Sequence, residues 1–402
     1  MLNLILFDSD ARSHLLPLTA TRPMGELRLG ALTLREKWER QLKARASYIT
    51  QEYLQEKYPI RIEDENLILN AGVIPNAPLC QRIRQIGMNE ALLHQGELIA
   101  ARLDNAQFEA LIEDEAVREL QGKPLESSIP LQTISRLWDL FMLNDSAIRD
   151  DFELLTQGRT SEPLSASNRL LGAHQVFLEA GAKMECCTIN TENGPVYLGA
   201  DALVMEGCLL RGPLAIGAGA VVKMGARIYG PTSIGPGCKV GGEISRINML
   251  ANSNKAHDGY LGDAVIGEWC NLGADSNNSN LKNNYSEVKL WDYPEERFVK
   301  TGLQFCGLVM GDHAKCGINT MFNTGTVVGV FANVYGAGYP RNFIPDFAWG
   351  GAEAGYRSYR FSEACETARL VMERRNLEFS DLDKAILYHI YDQTAKFRSW
   401  EK

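Results

Sequence analysis

The sequence predicts an α/β domain, then a parallel β-helix, then a short helical cap. Three observations carry this. Aliphatic residues recur every six positions at Leu198, Val204, Leu210, Ile216, Val222, Ile228, Ile234 and Val240. Ahead of them, short apolar runs alternate with amphipathic stretches. Behind them, the repeat resumes in fragments and gives way to two amphipathic segments. The expected boundaries are 1–165, 166–345 and 346–402.

In the first domain, NLILF and NLILN read as buried strands, and ALTLREKWERQL and APLCQRIRQI as amphipathic helices. That alternation favours an α/β layer with some parallel sheet. A single long helix is expected from the apolar spacing at 137, 138, 141, 148, 152 and 155, with Gly158 as its stop.

The six-residue spacing is the hexapeptide pattern of a β-helix, in which each hexad supplies one short strand and one turn. The aliphatic side chain points inward and stacks on its equivalents. Glycine follows it at 199, 217, 235 and 241, where corners need room or positive φ. Three hexads close a coil, so residues 198 to 245 build nearly three. The spacing returns at Ile266 and Leu272, and at Met310, Cys316, Phe322 and Val328. Residues 283 to 302 fit no hexad and read as an ejected loop, a class often functional. Asn277, Asn278 and Asn280 have a structural alternative as stacked asparagines. Ser362 and Ser380 are the expected N-caps of the terminal helices, which would cover the last coil's open edge.

Composition narrows the function. A formal charge of −9 argues against nucleic acid as the main partner. No apolar run approaches the ~20 residues of a membrane helix. The opening MLNLILFDSDARSHLL lacks a basic first segment, and Asp8 and Asp10 break its apolar run, so a cytoplasmic protein is expected. Nine cysteines follow no metal spacing, and several fall in small-residue slots of the repeat.

One polar stretch interrupts the ratchet: NSNKAHDGYLGD, residues 252 to 263. With its continuation, KAHDGYLGDAVIGEWCNLGA, it resembles the acetyltransferase half of the bifunctional bacterial glucosamine-1-phosphate acetyltransferase/N-acetylglucosamine-1-phosphate uridyltransferase (GlmU-like) family. RSHLLPLTATRP resembles the opening of sugar-1-phosphate nucleotidyltransferases. The resemblance implies a nucleotidyltransferase-like α/β domain, a left-handed β-helix, and a homotrimer. It also implies residue roles. His257 matches the general base that takes a proton from the sugar amine as it attacks acetyl-CoA, a role worth about 10²–10⁴-fold. Tyr260 and Asn271 match positions holding the sugar phosphate, with Arg227, Arg246 and the offset Lys255 as further candidates. Ala274 matches a backbone contact to CoA, and Asn284 and Tyr285 resemble an Asn-Tyr pair near it. His313 offers a second histidine where a hexapeptide-fold metal site needs three, so no metal is expected there.

For nucleotidyl transfer, Arg12, Thr19 and Arg22 match the opening motif, while its glycine-rich turn is absent and its signature lysine is Met24. Asp8 or Asp10 would hold Mg²⁺ if that domain is active. The resulting expectation is acetyl transfer to an amino sugar-1-phosphate, with or without UTP-dependent nucleotidyl transfer. The alternatives are a nucleotidyltransferase whose β-helix only assembles or regulates, and a non-catalytic sugar-nucleotide sensor.

Overall fold

The computed structural model describes residues 2–112 and 121–401. The chain forms two compact units. The first comprises residues 1–13, 22–27 and 32–135; the second comprises 14–21, 28–31 and 136–402.

The first unit holds a six-stranded sheet. Its strands run in the order Arg45–Ile49, Asn3–Phe7, Glu65–Asn70, Glu97–Asp104, Glu90–His94, Gln121–Pro124. Asn3–Phe7 is parallel to both of its neighbours, and Glu97–Asp104 is antiparallel to both of its own. Leu4, Ile5 and Leu6 have no exposure on either face, as their unbroken apolar run requires. The helix Leu34–Leu42 starts at a full capping box: Thr33 accepts from the Glu36 amide and Glu36 returns the bond. After Asn3–Phe7 the chain passes through this helix to one side of the strand, and it later places Glu65–Asn70 on the other. The carboxyl ends of these two strands are therefore a topological switch point.

The second unit is dominated by a parallel β-solenoid of about ten turns over residues 169–350. Inward side chains form columns. Leu198 registers with Ile216, and that with Ile234; Ile189 leads to Leu210, Ile228 and Ile244. All eight aliphatic residues of the six-residue series are at most 2% exposed, each contributing about 1.5–3 kcal/mol through burial.

Two slots in these columns are polar. Eighteen residues separate Val222 from its register partner Val240, but only fifteen separate Val240 from Lys255. The shortened coil brings Lys255 into the column at 0% exposure. Asn278, 3% exposed, is the other; its side chain accepts from the Gly262 amide (2.8 Å) and donates to the Gly262 carbonyl (2.9 Å). Asn277 accepts from the Tyr260 amide at 2.8 Å. These asparagines fasten backbone rather than stack on one another.

Three expectations change. The single long helix is two, Asp139–Met142 and Asn144–Thr156. At the break, Asn144 bonds the Gly30 amide (2.9 Å) and the Ile247 carbonyl (3.2 Å), so the helix is fixed by buried polar contacts that periodicity does not encode. The loop at 283–302 contains an antiparallel hairpin, Lys289–Asp292 with Arg297–Lys300. Ser380 caps the helix Asp381–Gln393 as expected, whereas Ser362 lies inside the helix Phe361–Glu373, whose N-cap is Arg360.

Candidate functional site

Two regions merit comparison, one in each unit. In the first, a cavity of about 370 Å³ opens at the switch point. Phe7 to Ala11, Asn70, Gly72, Glu97, Leu98 and Thr133 to Ser135 line it. A Cβ on Gly72 would lie 2.8 Å from the Met24 methyl and 3.0 Å from the Ile134 carbonyl, so a larger residue there would require its neighbours to shift.

Asp8 stands at the end of the first strand. Its carboxylate accepts from the Met24 amide (2.7 Å) and the Thr50 hydroxyl (2.6 Å), and forms an ion pair with Arg12 (3.1 Å). Burial nonetheless pushes its pKa up. Arg12 also donates to the Tyr53 hydroxyl at 2.8 Å. Thr19 is fully buried, and Arg12 and Arg22 are at most 9% exposed. These three are not among the residues lining the cavity; Arg12 is engaged by Asp8 and Tyr53. In place of a glycine-rich turn stands a 3-10 helix, Asp10–Leu15. With Asp8 saturated, Asp10 and Glu97 are the carboxylates left facing the cavity. Among the described residues no cluster of three His, Cys, Asp or Glu could hold a metal.

In the second unit, a groove of about 350 Å³ follows a corner of the solenoid. Its floor and walls are stacked turns from four coils: Lys223 and Met224, Gly241 and Gly242, Ala256 to Asp258, Ala274 and Asp275. His257 is exposed there, and among the described residues its imidazole has no hydrogen-bond partner. The backbone beneath it is tightly held. The Lys255 ammonium donates to the His257 carbonyl (2.6 Å) and the Asp258 carbonyl (2.9 Å). Burial draws the Lys255 pKa down to about 8. Lys255 therefore acts on the site from inside, which corrects its assignment as a substrate contact.

Ala274 lines the groove together with His257. Asn271 is exposed on the adjoining wall, accepting from Asn254 at 3.4 Å. Tyr260, on the next wall, is half-buried; Asn280 donates to its hydroxyl (3.0 Å) and to Asp263 (2.6 Å). Burial raises its pKa. Its ring folds over Gly262, where a Cβ would lie 2.1 Å from the phenol oxygen. Arg246 pairs with Asp263, and Arg227 with Glu243 at 3.5 Å. Both guanidiniums are thus partly neutralised, which weakens them as phosphate ligands. Asn284 bonds the Ser286 amide, and Tyr285 is 65% exposed in the ejected segment; neither lines the groove. His313 stacks on Phe331 at 4.5 Å, with Trp269 at 6.1 Å on a near-parallel plane.

Lys223 and Asp275 were missed by sequence reasoning, although the repeat contained them. Met224, Gly242, His257 and Ala274 each stand two residues after an inward position, so they share one row.

The largest of these cavities, about 650 Å³, lies elsewhere in the second unit, between Phe152, Gln157 and His174. Its Arg149 is already bonded to Asp145 and to the Asn193 carbonyl.

Residues 4–160 match the family described as sugar nucleotidyl transferase. The chain is similar to a bifunctional sugar-1-phosphate nucleotidylyltransferase/acetyltransferase of Sulfurisphaera tokodaii, with 30% identity over 23% of each chain. It is also similar to the bifunctional protein GlmU of Methanocaldococcus jannaschii, with 32% identity over 22% of this chain and 21% of that one. The matches thus span under a quarter of these relatives. Among solved structures, an Arabidopsis UDP-N-acetylglucosamine acyltransferase aligns over 53% of this chain and 80% of its own, at 16% identity and TM-score 0.25. An N-acyltransferase from Bacillus cereus, AntD, aligns over 51% and 93% at 11% identity and TM-score 0.22. Among the described residues no helix is long and apolar enough to cross a membrane.

Proposed function

We propose that this protein is a cytoplasmic acyltransferase that moves acetyl from acetyl-CoA to the amine of an amino sugar-1-phosphate, glucosamine-1-phosphate being the first candidate. One observation carries the reading: the His257 imidazole stands in a groove without a protein partner, over a backbone fixed by a buried ammonium. A side chain left unbonded on a rigid mount is available to a ligand's proton.

The chemistry follows. The amine nitrogen attacks the thioester carbonyl carbon, and a C–N bond forms as the C–S bond breaks. His257 accepts the proton the nitrogen loses, and that proton is then available to the leaving sulfur. The groove is open, so the proposal includes a homotrimer in which a neighbouring copy closes it. A monomer in sedimentation would count against that part.

A second reading concerns the first unit, supported by the sugar nucleotidyl transferase match over residues 4–160 and by the switch-point cavity. There the chain would bind UTP and a sugar-1-phosphate, and with acyl transfer it would be bifunctional. The test supplies acetyl-CoA and glucosamine-1-phosphate and follows free thiol for wild type and His257→Ala. Thiol release that the substitution abolishes supports acyl transfer. Equal release from both, or none from wild type, sinks it. Pyrophosphate release from UTP, Mg²⁺ and N-acetylglucosamine-1-phosphate tests the second reading separately.

A further inference from the structure

The groove is unevenly charged along its length. At one end stands Lys223; at the other, beyond His257, stand Asp258 and Asp275. Lys223 is not alone. Lys239 follows on the same wall, where it registers between Val221 and Asn254. From the end of the helix Phe361–Glu373, Arg375 donates to the Gly237 carbonyl (2.6 Å) and to the Asn254 side chain (3.3 Å). Arg374 precedes it and is exposed.

Lys239 is the member of this group that the other three reach. Partial burial lowers the Lys239 pKa, and the charges of Arg375, Lys223 and Arg374 lower it further. Among the described residues none of the four has a carboxylate partner. Arg227 and Arg246, by contrast, are paired with acids. Four uncompensated cations in a chain of net charge −9 cost electrostatic self-energy, which an anion would relieve. Arg375 has spent two donors on the fold, which leaves part of its planar fork for a ligand oxygen.

We infer that Lys223, Lys239, Arg374 and Arg375 form a seat for a phosphate group of a ligand whose remainder lies along the groove toward His257. This deepens the proposed function and rests on it for the ligand's identity. The phosphate belongs to the amino sugar phosphate or to CoA. Adjacent coils are about 4.8 Å apart, so Lys223 and His257, two coils apart, are separated by about 10 Å along the axis. The opposite, acidic end suits a cationic amine before it loses its proton.

The test is calorimetric binding to wild type, Lys239→Gln and Lys239→Gln/Arg375→Gln. The probes are glucosamine-1-phosphate against glucosamine, CoA against 3′-dephospho-CoA, and inorganic pyrophosphate. Each lost charge should weaken the phosphate-bearing probe about tenfold, the scale of one charge-assisted hydrogen bond, and leave the phosphate-free sugar unchanged. The pair of probes that responds identifies the source of the phosphate. Pyrophosphate bound by wild type and weakened in the variants sustains the seat even if thiol release fails and acyl transfer is abandoned. Unchanged affinity for every phosphate probe in Lys239→Gln overturns it; that variant alters an exposed side chain and keeps the Arg375 bonds that hold the terminal helix.

Discussion

The loop after Phe7 and the corner after Lys255 make opposite use of similar side chains. In the first, the reactive-looking group is consumed: Asp8 accepts two hydrogen bonds and pairs with Arg12, which also donates to Tyr53. In the second, the bonds fall on the backbone and the imidazole is left over. A buried charge must be satisfied by its own fold, because leaving it unpaired costs several kcal/mol. An exposed one can wait for a ligand. The contrast teaches that a motif's residue types do not distinguish a staple from a site; their hydrogen-bond accounts do.

The comparison breaks most visibly at His257. His257→Ala should reduce thiol release by about 10²–10⁴-fold with the urea midpoint unchanged, since the ring bonds nothing among the described residues. A large loss of stability instead would make it a staple like Asp8. Asp8→Ala should show the reverse, a loss of about 3 kcal/mol in denaturant unfolding, because it strands the buried Arg12 and the Met24 amide.

Lys255→Met sharpens the link between mount and ring. It should lower kcat by up to about 10²-fold with little change in KM, through misplacement of His257. It also has a pH signature. The folded pKa of Lys255 is about 8 against 10.5 for the free side chain, and Lys315 is lowered to a similar value by burial. Between about pH 8 and 10.5 the unfolded chain therefore binds more protons and stability rises with pH across that window. The variant should lose part of this rise, as read from urea midpoints through the window. Smallest of all, Asp10→Asn should change stability by less than about 0.5 kcal/mol, since its exposed carboxylate faces the cavity. A larger effect would mean that Asp10, too, is part of the frame.

Period alone made the solenoid legible, because each inward aliphatic residue is dictated by its own coil and repeated in the next. The same period would have placed Met224 and Ala274 in the row of His257, had Lys255 been read as an inward residue. It was not, because an ammonium in a column of valines contradicts the pattern. Ser380 was legible as a cap from its local sequence, while Ser362 was displaced when the helix began two residues earlier.

By itself, then, the sequence determined the columns, two parallel strands of the first sheet and the polar interruption at 252–263, all of which follow from contacts within a few residues or a fixed repeat. Only the tertiary structure decided which charges are spent and which are free. Arg227 and Arg246 meet acids from neighbouring coils, and Arg375 reaches Gly237 and Asn254 from a helix more than a hundred residues later in the chain. Charge pairing depends on distances in space, and a chain that folds back on itself in coils sets those distances independently of separation in sequence.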